Sequence, residues 1–535
     1  MKNKTNLLKK LPPPVAKILI ISVLAISSIT VNAQFENWNG EVQAGFDASS
    51  RDYVVCPSNH ADKGYVGVHA IERPGTNNKW VLRGIEFDAS GVERSALYKI
   101  IELNGSPGRD LQIHPLKIVQ RLDGNGYYIV GYVIQGDFDI PYPFVIKTNN
   151  TLDVVTNGFK TFTNHGFFCD VDELPNNDLM FCGSKTEDLQ LGDNDRVGIL
   201  VRTSSTFTIS YMKYIDHYTS TTLPENDYDI VHDLILVDDD AIICGNVSEQ
   251  YIDGACTTSV SRPFIARINL TNGNWTGAGY WINTSFKGIG NSTASRLAED
   301  GTQVVMATNA LASSSTNLLF YNLTTGAFNS GKNIEFNTTT INDGTIYTHV
   351  PFIQNIYFNA NGDIFMSGKF IKLLNSWNLS AWDMPFNAVY DVVNNSVSGI
   401  VYPTDQQYLI PADYLNYEEN TVNCFAGNVF PFYAASNTIP EVNGNTDEYT
   451  TITHDHAKSD WNSISYANKT WIFSNDNSTC NNAALTGPEP SNVSTTTPIV
   501  VSNYNLTSLP EVLNLTGYSE DHTDRFNYDC DSDPH

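Results

Sequence analysis

Cations are scarce in this chain. Lysine and arginine total 31 against 58 aspartates and glutamates, a formal net charge of −27 over 535 residues. So acidic a surface repels nucleic-acid phosphate and anionic lipid, which argues against both as partners. Long apolar runs are also missing. The longest, residues 18–29, has 12 residues, short of the roughly 20 that span a bilayer as a helix. Compact catalytic signatures are absent as well. There is no C-x-x-C for a zinc ribbon or thioredoxin-like site, no G-x-S-x-G nucleophile elbow and no H-E-x-x-H. Residues 326–333 approach a phosphate-binding loop, but Asn333 stands where Ser or Thr is needed. The following residues read as strand rather than helix, so the required context is lacking.

The first 33 residues read as a signal peptide. Lys2, Lys4, Lys9, Lys10 and Lys17 precede and enter the apolar run, and Val31-Asn32-Ala33 fits a small-residue cleavage site. No lipid-accepting cysteine sits there, and no later run can span a membrane, so the expectation is a secreted or cell-surface protein. Losing five lysines with the leader leaves 26 basic against 58 acidic residues. Eight cysteines follow the leader, and an even number in an exported chain permits disulfides. The candidate pairs are Cys169 with Cys182 across a hairpin, Cys244 with Cys256 around a short loop, and Cys480 with Cys530 in the tail. The competing expectation is free thiols packed in strand cores.

What the sequence does have is one unit, repeated. Residues 114–150 hold a strand (116–122), the turn Asp123-Gly124-Asn125-Gly126, a second strand (127–133) and a third from Pro143 through Lys147. Asp-Gly and Asn-Gly supply the positive φ angles of tight hairpins. The grammar returns from residues 165, 232, 291, 349 and 456, loosely from 60 and weakly from 405. The spacings run between 51 and 67 residues. A period of this size built from strands means radial repetition: each small antiparallel sheet buries its faces only against its neighbours. The expected fold is all-β, a propeller of seven or eight antiparallel blades. Residues 34–59 should supply a strand that closes the ring. The domain reading is propeller over 34–510 and an acidic tail over 511–535.

The strand–Asp-Gly–strand-Gly pattern, with its later hydrophobic-hydrophobic-Lys-Thr strand, resembles the propeller-type repeats of large secreted proteins of Bacteroidetes-like bacteria. It covers most of residues 60–505. The resemblance implies a propeller fold and no single activity.

The sharpest candidate chemistry is a set of histidines near the start of five units: His114, His165, His232, His349 and His456, with His60 as an irregular sixth, while Asn291 takes the place in one unit and the 405 unit has none. Imidazoles converging on a propeller axis can bind a transition metal. His454 adds a second ring two residues from His456, on the same strand face. The structural reading, one local hydrogen bond repeated in every unit, outweighs it. Oxygen-rich Asp/Asn turns are possible calcium ligands, although hairpin chemistry explains them. Trp382 and Trp461 lie in or beside loops, where aromatics stack on sugars or grip proteins. The N-x-Ser/Thr triplets at Asn246, Asn269, Asn283, Asn322 and Asn378 are glycan acceptors only in a eukaryotic secretory route. The favoured function is a non-enzymatic binding module for an extracellular protein or glycan. The alternatives are a propeller enzyme with a channel-mouth site, metal-dependent or acting on polysaccharide, and a structural subunit of an extracellular assembly.

Overall fold

The computed structural model describes residues 38–39, 53–61, 64–73, 79–87, 94, 97–104, 111–135, 141–162, 166–186, 196–216, 229–253, 256–274, 276, 280–281, 292–310, 315–335, 339–340, 346–358, 362–374, 382–403, 436–439, 449–460, 463–474, 482–484, 491–492, 500–504, 514–521 and 527–528. Every regular element among them is a strand. The described strands make seven sheets of three or more strands, all antiparallel meanders at their core. Sheet I runs Tyr53–Pro57, Tyr65–Arg73, Lys79–Phe87 and Leu97–Asn104. Sheet II runs Leu111–Gln120, Tyr127–Gln135, Pro141–Thr148 and Val154–Thr161. Sheet III runs Gly166–Glu173, Leu179–Thr186, Arg196–Thr203 and Ile209–Asp216. Sheet IV runs Ile230–Val237, Asp240–Asp253, Cys256–Asn269 and Tyr280–Trp281. Sheet V runs Ser292–Glu299, Gln303–Ala310, Ser315–Asn322 and Ala327–Glu335. Sheet VI is led by Ile346–Phe358 and continues through Ile364–Leu374, Trp382–Asp391 and Ser396–Pro403. Sheet VII holds Ser436–Ile439, Tyr449–Asp460 and Ser463–Ser474.

Sheets I to VI pack face to face in succession, because their strands are apolar on both sides. In sheet III, Phe181 packs with Tyr128 and Val130 of sheet II, while its neighbour Cys182 packs with Val231 and Ile243 of sheet IV. In sheet IV, Ile243 turns back to III and Ile242 turns on to Val304 and Met306 of sheet V. Val305 of sheet V meets Ile353 and Met366 of sheet VI. Ser436–Ile439 of sheet VII touches the leading strands of both sheet VI and sheet I. This succession of radially stacked sheets is a β-propeller. It explains the nearly continuous apolar second strands, in which successive side chains enter different cores.

The repeated glycines have a common cause. The leading strand carries a β-bulge in sheets II to VI, at Leu116, Cys169, His232, Ser295 and Gln354. Opposite the bulge in sheets II, III and IV stand Gly131, Gly183 and Gly245. A Cβ on any of them would overlap the carbonyl oxygen of His114, Phe167 or Ile230 respectively. The third-strand cations also recur. Arg202 bonds Asp178 Oδ2 at 2.7 Å and donates to the Leu270 carbonyl of the next sheet at 2.7 Å. Arg267 repeats this with Asp240 and the Leu323 carbonyl, both at 2.7 Å. The third-strand Arg of sheets III and IV is thus a staple to the next sheet.

The terminal segments add to several sheets. Within residues 34–59, Trp38–Asn39 pairs with Asn527–Tyr528 and lies against Ser463–Ser474 of sheet VII, and Tyr53–Pro57 leads sheet I. Val500–Tyr504 pairs with the outer strand of sheet III. Asn514–Asp521, within the expected acidic tail, pairs along the outer strand of sheet I. Asn482–Ala484 and Ser491–Asn492 add to sheets VI and V. Sequence pattern identifies strands, but an outer edge accepts any extended segment, so pattern alone misassigns their partners. Residues 1–33 lie outside the described residues.

Gly183→Ala is expected to lower the free energy of unfolding by about 1–3 kcal/mol, since backbone is the obstacle. Gly124→Ala, whose positive φ lies in open space, should cost about 1 kcal/mol. Urea unfolding of the two variants measures the difference.

Candidate functional site

Among the described residues, the leading strands of sheets I to V have a hydrogen-bonded partner strand on one side only, while in sheet VI Thr339–Thr340 flanks the start of the leading strand. The free edge presents N–H groups that must find acceptors. Just after each bulge, sheets II to VI place a polar residue on this strand: Lys117, Asp170, Asp233, Arg296 and Asn355. The two aspartates use the position alike. Asp170 Oδ2 accepts the Leu234 N–H of sheet IV at 3.3 Å, and Asp233 Oδ2 accepts the Leu297 N–H of sheet V at 2.7 Å. Because both bonds join the same register positions, successive leading strands run parallel and in step.

Lys117 of sheet II completes the network. Its Nζ lies 3.2 Å from Asp170 Oδ1 and 3.6 Å from Asp233 Oδ1, so one ammonium bridges sheets III and IV. Asp170 Oδ1 also accepts the N–H of Val171 at 2.8 Å. The carboxylate side chains are 3% and 5% exposed and that of Lys117 27%, so the cation is the member that meets solvent. Three residues on, Glu173 grips the opposite neighbour: Oε2 accepts the Leu122 N–H at 2.6 Å and Oε1 accepts the Tyr128 hydroxyl at 3.1 Å. One strand therefore ties sheet III to both II and IV.

Burial pushes the Asp170 carboxyl well above the usual range. Lys117 opposes the rise, and the adjacent Asp233 and Asp172 charges add to it. Burial likewise raises Asp172 to about 7, again opposed by Lys117 and reinforced by Asp233 and Glu299. Asp172 keeps part of its surface open, which trims that burial penalty. Burial also raises the Cys182 thiol, so it is not a ready nucleophile.

The predicted histidines do not share a level. His114 stands two residues before the bulge of its strand, buried and stacked on Tyr132 with centroids 4.6 Å apart. His232 is itself the bulge residue, its Nε2 3.2 Å from Asn246 Nδ2. His349 precedes the bulge by five residues and pairs with Lys372, an offset of about 17 Å along a strand. His454 and His456 pair with Lys469 and Ala467 in sheet VII. His165 lies outside the described residues. His60 is exposed, 3.1 Å from Glu86. Among the described residues, no group of three or more His, Cys, Asp or Glu is arranged to hold a metal. The Asp123 and Asp300 carboxylates accept the N–H groups of their own turns.

The disulfide expectations are corrected where the residues are described. Cys169 and Cys182 are buried thiols that are not joined in a disulfide, both in the core between sheets III and IV. Cys244 is likewise a thiol, in the core between IV and V. Cys256 lies at the far tip of the same hairpin, paired with Asp253, nine residues beyond Cys244, so about 30 Å of strand separates the two. Cys480 and Cys530 lie outside the described residues. Asn246 is buried, which removes it as a glycan acceptor.

The histidine pattern does not announce the ion-pair network. Its signal in the sequence is a charged or amide residue inside an otherwise apolar leading strand, repeated at Lys117, Asp170, Asp233, Arg296 and Asn355. No family model and no curated protein matches the chain. Among solved structures it is similar to the Dos1 propeller, with 8% identity, TM-score 0.36, and coverage of 82% of this chain and 94% of that one. It is also similar to a point mutant of the α-L-arabinofuranosidase arb93a from Fusarium graminearum bound to an iminosugar inhibitor. There the identity is 9%, the TM-score 0.40 and the coverage 68% of this chain and 99% of that one. Likenesses this distant carry no chemistry to this chain.

Lys117→Met should destabilise the fold by roughly 2–4 kcal/mol, because it leaves two buried carboxylates without their cation. Replacing Lys99, whose partner Asp153 is 52% exposed, should cost under about 1 kcal/mol. Chemical denaturation of both variants at pH 7 tests the contrast. By this reading the chain is a β-propeller whose axial network holds sheets together.

Proposed function

We propose that this is an exported β-propeller that acts as a binding module for an extracellular glycan or protein, at the end where its hairpins project. The supporting observation is the unequal length of the hairpins between second and third strands. In sheet IV both strands have 14 residues and remain paired out to Asp253 and Cys256. That is seven residues past Asn246, about 20 Å of extra hairpin. In sheet VI the pairing runs on to Lys372 and Trp382. In sheet VII, Tyr449–Asp460 and Ser463–Ser474 stay paired for 12 residues, although the first strand covers only Tyr449–Ile452.

These tips all lie between second and third strands, and the in-step leading strands of sheets III to V support reading them as one end of the propeller. The other end carries tight turns such as 121–126, 174–178 and 300–302, closed by their own carboxylates and amides. Loops displayed on a rigid scaffold are where recognition is built. Trp382 begins the third strand of the sheet VI hairpin. Trp461 falls between the paired strands of the sheet VII hairpin, outside the described residues. Aromatics so placed suit stacking on a sugar face or anchoring a protein contact.

The network argues the same way. The oxygens of Asp170 and Asp233 already serve backbone N–H groups and Lys117, a structural employment. A propeller enzyme is the second reading, favoured by one observation: Asp172, raised to about 7, suits a general acid or base near neutrality.

Screening the full chain on an array of immobilised polysaccharides and oligosaccharides, with surface cross-linking for protein partners, tests the proposal. The Trp382→Ala, Trp461→Ala double variant should lose about 10- to 30-fold in affinity at an unchanged melting temperature. Binding that survives the double variant but fails with Asp172→Asn, or turnover of a bound polysaccharide, would move the site to the channel and favour the enzyme.

A further inference from the structure

Residues 482–528 visit the outer edges of the sheets in one direction. Asn482–Ala484 pairs with Ser396–Pro403 of sheet VI, and Ser491–Asn492 with Ala327–Glu335 of sheet V. Val500–Tyr504 pairs with Ile209–Asp216 of sheet III. Asn514–Asp521 pairs with Leu97–Asn104 of sheet I and touches Val154–Thr161 of sheet II. Asn527–Tyr528 then meets Trp38–Asn39, which lies against sheet VII. The order VI, V, III, I reverses the order in which the chain lays the sheets down, and it never doubles back. Such a path is a strap over the sheet edges, held by antiparallel backbone pairing. Its sequence suits the task. Pro488, Pro490, Pro498 and Pro510 fall between the paired segments, where no ladder N–H is required of them. The segments on sheets VI, V, III and I contain no lysine or arginine, the charges by which edge strands discourage pairing with other chains.

We propose that the strap is an exchangeable ligand of these edges and that its partner in trans is a second copy of this chain. Val500–Tyr504 and Asn514–Asp521 of one copy pair on sheets III and I of the other, and the reciprocal exchange joins two copies. An edge that takes the segment in cis takes the identical segment of a neighbour with the same register and side-chain contacts. Only the connection differs. Pairing is concentrated in the part that would exchange, with five residue pairs on sheet III and eight on sheet I, against three on VI and two on V. The strap follows Ser463–Ser474 of sheet VII in the sequence, so its departure unthreads none of the four-stranded meanders. The proposal concerns the outer edges and does not depend on what the projecting hairpins bind.

Concentration decides between the two connections. A segment on a flexible tether meets its own site at an effective concentration on the order of 1 mM. Other copies at about 10 µM compete a hundredfold less well, so dilute chain closes on itself. At about 100 µM the trans connection takes roughly one strap in ten.

Refolding the full chain from urea tests the exchange, with equal parts of normal chain and chain grown on heavy nitrogen. Between about 10 and about 100 µM, the dimer-to-monomer ratio read by light scattering should rise about tenfold. Carbodiimide joins lysine to carboxylate. It should couple Lys99 to Asp521, diagonal neighbours across the sheet I edge, as mixed light–heavy peptide pairs in the dimer. Tyr98 and Glu520 stand directly opposite each other in the same pairing. The Tyr98→Cys, Glu520→Cys variant, oxidised while dilute and checked by peptide mapping, holds the strap in cis and should remain monomeric at about 100 µM. Monomer alone from wild type at about 100 µM would overturn the proposal. So would dimers of the cis-held variant, or wild-type dimers without mixed strap cross-links, since the contact then lies elsewhere. Should the variant not fold, a synthetic peptide of residues 498–523 takes its place. Added to refolding wild type at about 1 mM, it should roughly halve the dimer yield by competing for the edges, and an unchanged yield counts against exchange.

Discussion

The free edge of the leading strand is the constraint on which the rest depends. In a propeller blade every other strand has partners or solvent at hand, but the leading strand faces a narrow axis crowded by its equivalents. The bulges after Pro115, Phe168 and Val231 turn the next side chain out of the normal alternation. Lys117, Asp170 and Asp233 then reach across to neighbouring strands rather than into their own core. The carboxylates satisfy backbone donors, and the lysine offsets part of their charge.

The same bulge dictates features further out. It presses the carbonyl of the preceding residue against the second strand, which is why Gly131, Gly183 and Gly245 recur there. Their close approach brings the first two strands into the tight hairpin that opens each sheet. Beyond it, apolar side chains alternate between the two adjacent cores. Arg202 and Arg267 add a second tie between sheets, joining a third strand to the turn carbonyl of the next sheet. Sheets III and IV are thus held by cores on their faces, carboxylates on their leading strands and guanidinium groups at one end.

This distribution separates stability from recognition. Polar chemistry near the axis is absorbed in holding sheets together, and the tight turns at one end are closed by their own side chains. The long hairpins of sheets IV, VI and VII add nothing to the ring cores they leave behind. Sheet IV has 14-residue strands where eight suffice elsewhere, and this extra length is what supports the proposed recognition role.

The repeat spacing, the Asp-Gly turns and the strand-Gly signature together determined an all-β propeller without reference to any structure, because hairpin chemistry and two-faced burial are local properties. The Lys/Arg-Thr/Asn ending of the third strand was equally visible as a pattern, although its role in reaching Leu270 and Leu323 was not. Which residues meet at the axis was decided only by the tertiary structure. A bulge shifts side-chain direction by one position, and nothing in the sequence between His114 and Lys117, or between His232 and Asp233, announces it. That shift stacked His114 on its own sheet, scattered the histidines along their strands and brought Lys117 to aspartates 53 and 116 residues away in the chain. Likewise the thiols of Cys169 and Cys182 were close in sequence, but the cores in which they sit, and the partners of the C-terminal strands, depend on contacts between sheets that no local pattern encodes.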